Sequence, residues 1–205
     1  MKLYALLILK MFPQGVEKDP VICSSAIDVS SFGFFQRGST KEFIIFLSRT
    51  VAKLVSPGSK TQITENGNAV YAYASLDGLV AIAISDVEYT GRVAFTLLSD
   101  ILPLFQNTFR GKYSNVDGKP DNFLPWQHLQ DTLVKYQKPE EVDKILKIKK
   151  DIEDTKVVMY NAIDQIIERG NKIDDLVAKS EDLGMASKTF YSQAKKTNSG
   201  CCVVM

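Results

Sequence analysis

From Ile145 to Thr197 the chain repeats a spacing of three then four residues without a break, the pattern of a helix buried along one stripe against partner helices. The stripe reads Ile145, Ile148, Ile152, Thr155, Met159, Ala162, Ile166, Arg169, Ile173, Leu176, Ser180, Leu183, Ser187, Phe190, Ala194 and Thr197. Eleven of these 16 positions are apolar, against 11 of the 37 positions off the stripe, so the periodicity is not a by-product of composition. Ile163, Ile167 and Val177 flank the stripe and widen it, and a wide stripe suits a four-helix bundle better than a two-stranded coil. One continuous helix over this stretch would be ~80 Å long. Gly170 and Gly184 each weaken an isolated helix by about 1 kcal/mol, and Thr155, Ser180 and Ser187 interrupt its apolar face. The segment is therefore expected to be largely disordered until it finds partners.

Arg169 falls in the middle of the stripe, with seven stripe positions before it and eight after. Two readings stand side by side. The guanidinium reaches out to water over its long stem, or it is buried among helices, where several kcal/mol of desolvation must be met by polar partners. In the second case it fixes register and partner choice at the expense of stability.

Chemistry changes near Pro139. Of the 20 aromatic residues only Tyr160, Phe190 and Tyr191 follow it, and all seven prolines lie at or before it. The earlier part reads as a folded α+β domain. Lys2 to Leu9 is a short apolar run suited to a buried strand, and Val21 to Val29 suits a second. Phe43, Phe46, Leu47, Val51, Leu54 and Val55 recur at helical spacing until Pro57-Gly58. Strand-like runs Val70–Leu76 and Leu79–Ile84 flank Asp77-Gly78, a hairpin signal. Ala94, Leu97, Leu98, Ile101, Leu102, Phe105 and Phe109 form the stripe of a second helix, and a short third helix is expected from Trp126 to Tyr136. That order predicts a mostly antiparallel sheet covered by helices.

Several function classes drop out. A net charge of +1, with lysines interleaved among acids, does not offer the basic face that nucleic acid requires. Leu3 to Leu9 is far short of the ~20 residues of a spanning helix, and Lys10 interrupts it as a signal peptide. His128 is the sole histidine, so a His-based triad or metal cluster has no second member, and no phosphate-binding glycine loop is present. No catalytic residue, metal site or cofactor is expected. Cys23 has no paired histidine or acid motif that would make it an acyl-transfer nucleophile.

The terminus Cys202-Val203-Val204-Met205 fits the C-a-a-X prenylation pattern, with methionine at the last position favouring farnesyl. A single lipid chain binds membranes only marginally and reversibly. Cys201 is placed to accept a removable palmitoyl group that would make anchoring stable, and Lys195 and Lys196 add slight attraction to anionic lipid. The alternative is a structural cysteine pair at a frayed end.

The stretch Ile166-Ile167-Glu168-Arg169-Gly170-Asn171-Lys172-Ile173-Asp174-Asp175-Leu176 resembles the central layer of an R-SNARE. Phe190-Tyr191, Ala194-Lys195-Lys196 and Asn198-Ser199 ahead of the paired cysteines are similar to one branch, the lipid-anchored YKT-type longin R-SNAREs of the synaptobrevin-like superfamily. The likeness extends to Asp28-Val29-Ser30-Ser31-Phe32-Gly33-Phe34-Phe35-Gln36-Arg37 and to Arg92-Val93-Ala94-Phe95-Thr96-Leu97-Leu98. Two departures are Gly200 before the cysteine pair and Thr90-Gly91 in place of a proline-containing turn.

The resemblance implies a profilin-like longin domain at 1–137, with a five-stranded antiparallel sheet flanked by helices, then a long SNARE coiled-coil helix at 138–199 and a lipidated tail at 200–205. It implies that Arg169 meets three glutamines from three Q-SNARE helices in a four-helix bundle that drives vesicle-membrane fusion. Further partners implied are the SNARE disassembly machinery and a prenyltransferase, with farnesyl on Cys202 and palmitate on Cys201. The implied locations are the cytosol and the cytoplasmic face of Golgi, ER–Golgi vesicle and endosome or vacuole membranes. A non-fusogenic tether and a longin-domain acyltransferase are the other readings. The family precedent also includes a closed state in which lipid and SNARE strand fold back on the longin domain. The helix face carrying Phe43, Phe46 and Leu47 is the candidate wall of that groove, unless these three side chains simply fill the domain core.

Overall fold

Strands β1 (Leu3–Lys10) and β5 (Leu79–Asp86) lie side by side within a six-stranded sheet, and their near-continuous apolar runs follow from burial on both faces. The computed structural model describes residues 1–13, 16, 18–139, 157–167 and 172–199. The sheet order is β2-β1-β5-β4-β3-β6, with β2 at Val21–Ile27, β3 at Lys60–Glu65, β4 at Asn68–Ala74 and β6 at Val157–Tyr160. The first five strands pair antiparallel, with Leu7 opposite Ile82 and Val70 opposite Ile84. Strand β6 joins the β3 edge in parallel, with Ile63 opposite Tyr160.

The five-stranded antiparallel sheet of the longin reading is thus present, and a sixth strand from the heptad region extends it. Asn66-Gly67 joins β3 to β4 with φ of 50° and 76°, the left-handed pair that a two-residue hairpin with type I′ twist requires. The Asp77-Gly78 hairpin also forms, through the four-residue connection from Ser75 to Gly78, in which Gly78 alone has positive φ, at 81°.

Alternation along the strands sends two sets of side chains to opposite faces. Leu6, Ile8, Tyr71, Ala81 and Ala83 pack under α2 (Gly91–Thr108) and α3 (Gln127–Lys135). Here the buried Tyr71 hydroxyl donates to the Tyr89 carbonyl at 3.0 Å, and the Tyr89 hydroxyl donates to the Tyr136 carbonyl at 2.8 Å. These bonds satisfy two buried hydroxyls and tie the start of α2 to the end of α3. Gly91 opens α2 because a Cβ there would stand 3.2 Å from the Gln62 side chain and 3.3 Å from the Tyr71 ring.

Phe105 is fully buried against Phe109, Tyr113 and Trp126, with ring centroids 4.7, 6.1 and 5.5 Å away. Phe105→Ala is expected to cost about 3–5 kcal/mol, read as a lower denaturant midpoint at unchanged slope. A loss under about 1 kcal/mol would show that this corner collapses freely around the gap.

On the other face Leu7, Leu9, Ile63, Val70, Ile82 and Ile84 pack under α1 (Arg37–Leu54) and under the C-terminal region. The described residues of that region fall into several short elements where one long helix is expected. They run through β6, a 3-10 turn at Ile163–Gln165, α4 (Ile173–Lys179) and α5 (Met185–Ser199). Without partner helices, an apolar stripe gains most by covering the nearest apolar surface, here α1 and the sheet. α4 stops at Lys179, and the turn that follows to Gly184 separates it from α5.

Candidate functional site

Helix α1 buries Ile44, Phe46, Val51 and Ala52 against the sheet and presents Phe43 and Leu47 to the C-terminal region. Phe46 is only 5% exposed and lies in the core, its ring 5.9 Å from Phe43. The three predicted groove residues therefore divide: Phe43 and Leu47 line a cavity, and Phe46 forms the packed layer behind them.

The C-terminal region is held to this face along its length. The Ile163 amide donates to the Glu65 carboxylate at 3.0 Å. Ile163, Ile167, Ile173, Val177 and Leu183 enter the same core as α1. The Arg49 guanidinium pairs with Asp182 and with Asp121 (2.7 Å), and its Nε donates to the Pro20 carbonyl at 3.1 Å. Glu42 accepts from the Gly184 amide at 2.9 Å and from the buried Ser187 hydroxyl at 2.7 Å. Tyr191 stacks on Phe43 at 5.4 Å with an interplanar angle of 24°, and its hydroxyl donates to Asp174 at 3.0 Å.

Charges on this face respond to their surroundings. Hydrogen bonds from Lys195 and Tyr191 hold the Asp174 carboxyl below its ordinary value. Burial pushes Asp182 up, more strongly than the neighbouring Arg49 pulls it down. Burial and the bond to Asp174 push the Tyr191 phenol up.

Between α1, the sheet and α5 a cavity of about 280 Å³ remains. Its walls are mainly apolar, with Tyr4, Phe32, Phe43, Leu47, Ile63 and Phe190 among them, and Glu65, Asn66, Asn68 and Lys195 supply polar groups. An apolar cavity with a few polar groups suits an apolar ligand that has one polar end.

Of the predicted stripe, Ile173, Leu183 and Ser187 are buried, and Ala162, Ile166, Leu176, Ser180 and Phe190 are half-buried or more exposed at the surface of the docked region. Met159 is 68% exposed on β6, and Ala194 reaches the cavity from α5. Thr197 lies in α5. Ile145, Ile148, Ile152, Thr155, Arg169, Cys201 and Cys202 fall outside the described residues. Sequence reasoning missed Glu42, Arg49, Asp182 and Tyr191 as docking residues. Ile163, Ile167 and Val177, which widen the stripe in sequence, are the residues that seat it on the domain.

Cys23 is fully buried, and burial pushes its thiol up to about 12, which removes the thiolate an acyl transfer would need. Among the described residues no helix is long and apolar enough to cross a membrane.

Comparison with known proteins agrees with this architecture. Residues 29–127 match the longin family model, described as a regulated-SNARE-like domain, and residues 144–204 match the synaptobrevin model. The chain is 44% identical to "VAMP-like protein YKT61" of Arabidopsis thaliana and 39% identical to "VAMP-like protein YKT62" of the same plant. It is 38% identical to "Synaptobrevin homolog ykt6" of Schizosaccharomyces pombe, and all three alignments cover 100% of both chains. A longin sheet, a synaptobrevin segment laid across it and likeness over the full length lead to one conclusion: the chain belongs to the YKT6-type branch of the synaptobrevin SNARE family, the longin-bearing SNAREs of vesicle transport.

Proposed function

We propose that the chain is an R-SNARE that alternates between the closed arrangement described above and a four-helix bundle with three Q-SNARE strands. The observation that carries this reading is the double use of one stripe. Ile173, Leu183 and Ser187 occupy heptad positions, yet they are buried against the longin domain. The same side chains cannot be buried in both places, so docking and bundle assembly exclude each other. Release of the segment frees the stripe to zip from its N-terminal end towards Cys201-Cys202, and burial of successive layers supplies the work that draws membranes together. Arg169 at the bundle centre meets three glutamines, whose uncharged acceptors suit a guanidinium in a dry core.

The anchor is farnesyl on Cys202, added by a prenyltransferase, with palmitate on Cys201 as the removable half. In the closed state the farnesyl chain enters the cavity between α1 and α5, whose apolar walls shield it from water. The protein then cycles between cytosol and the cytoplasmic face of Golgi, ER–Golgi vesicle and endosome or vacuole membranes, with disassembly machinery resetting the bundle.

The test is binding of purified Q-SNARE strands to the segment 145–197 against a scrambled version. Selective binding to the native order, with Arg169→Ala leaving assembly but spoiling register, supports the reading; equal binding overturns it. Liposome content mixing separates a fusogen from a tether, which would join vesicles without mixing their contents.

A further inference from the structure

Residues 28–37, between β2 and α1, form a loop that is firmly built and yet ends in two bare aromatic rings. The Arg37 guanidinium donates to the carbonyls of Phe32 and Ser30, both at 3.1 Å. The Asp28 carboxylate accepts from the Ser30 amide at 2.9 Å and pairs with Lys2 at 3.4 Å. Phe32 anchors the base of the loop against Tyr4, with centroids 5.3 Å apart. At the tip, on a 3-10 turn, Phe34 is 77% and Phe35 94% exposed, and their rings meet edge to face at 5.5 Å and 85°. A disordered loop could fold such rings away; this one holds them out.

We propose that Phe34 and Phe35 are a membrane wedge that sets the longin domain onto the bilayer interface. Three observations favour lipid over a protein partner. Two aromatic side chains bring roughly 300–500 Å² of surface, well below the ~800 Å² per partner of a stable protein interface. Gly33, Gln36 and Gly38 around them add no apolar rim. Beside the tip Arg37 and Lys41 expose cations, while the nearby acids are engaged: Asp28 with Lys2 and Ser30, and Glu42 with Gly184 and Ser187. That arrangement of cations with projecting aromatics suits a lipid phosphate layer.

The C-terminal helix α5 also comes near the base of this loop. Ala194 and Lys195 of α5 border the same cavity as Phe32, and α5 runs on to Ser199, with six residues of sequence beyond it. The inference rests on the lipidated-tail reading for its consequence, because one lipid chain anchors only marginally and a second membrane contact makes it stable.

The test uses the full chain and phosphatidylcholine–phosphatidylserine vesicles. The tail cysteines are coupled to a maleimide lipid, which spares Cys23 because it is buried. Phe35→Trp is then examined with brominated lipids, with the unsubstituted chain reporting Trp126 alone. The expected result is a blue-shifted, bromine-quenched signal from the introduced indole. In a second arm the chain is farnesylated at Cys202, and Phe34→Ser with Phe35→Ser is expected to lower vesicle partitioning on the order of ten-fold. Closed-form exchange protection at 173–195 should stay unchanged in that double variant. No quenching of the introduced indole on tethered protein, or equal partitioning of the double variant, overturns the wedge. If the farnesylated chain fails to sediment at all while the indole of the tethered Phe35→Trp chain is quenched, the wedge stands and the lipid-tail reading fails.

Discussion

A chain carrying Phe43→Glu should lose amide-exchange protection across residues 173–195 while keeping it in β1 and β5. The substitution removes the stack on Tyr191, worth about 0.5–1.5 kcal/mol beyond its area, and places a carboxylate in an apolar wall. Glu42 is its chain neighbour, Glu65 lines the same cavity, and the cavity's Lys195 is already paired with Asp174, so the new charge gains a cation only by drawing Lys195 away from that pair. Together these should cost the docked state about 3 kcal/mol or more, on the order of a hundred-fold faster exchange. The domain itself should survive, because Phe43 is only half-buried and Phe46 carries the core contact. In farnesylated chain the membrane-bound fraction should rise in parallel. Protection at 173–195 equal to that of the unsubstituted chain would falsify the docking role of this wall.

The second large effect is expected at Arg49, and it should be asymmetric. Arg49→Ala leaves Asp121 and Asp182 facing each other without their cation and frees the Pro20 carbonyl. Breaking such a half-buried network costs about 1–3 kcal/mol, and the loss should appear as opening of the segment 180–187. Asp182→Asn should behave differently. Burial raises the Asp182 carboxyl above its ordinary value, so the docked strand binds a proton more tightly than the released strand does. Docking is therefore favoured below the ordinary carboxylate value and loses that contribution as pH rises through the raised one. Asparagine mimics the protonated form, so Asp182→Asn should leave docking unchanged or slightly tighter at neutral pH. Exchange rates for the two variants across the acid range decide the matter; equal loosening by both would mean that the ion pair outweighs desolvation.

Much of the domain is legible in local pattern because local burial enforces that pattern. β1 and β5 are apolar on both faces and announce themselves as short continuous runs. β3 gives no such signal: Lys60, Thr61, Gln62, Thr64 and Glu65 leave Ile63 as its single large apolar residue, although Asn66-Gly67 beyond it is an available hairpin signal. Helix α1 begins at Arg37, six residues before the apolar spacing starts, since its first turn carries only Gly38, Ser39 and Thr40 after the arginine.

β6 is the instructive case. Val157 to Tyr160 obeys the heptad, and the heptad describes the segment's fit to helical partners. In the chain alone, β-branched Val157 and Val158 and an open β3 edge outweigh that periodicity. Of the groove, Phe43 and Leu47 follow from helical spacing. The Glu42–Ser187 and Arg49–Asp182 contacts join residues more than a hundred positions apart and leave no trace in any window.

The parallel pairing of β6 with β3 also bears on solubility. In the proposed open state, with the C-terminal region released, β3 would become a bare outer strand, the kind of template on which chains stack into fibrils. β3 meets that hazard with its own composition. It is six residues long, bears a lysine at one end and a glutamate at the other, and offers Ile63 as its one aliphatic side chain, turned into the core. The polar sequence that hides this strand from pattern reading would guard the proposed open state against edge-to-edge stacking.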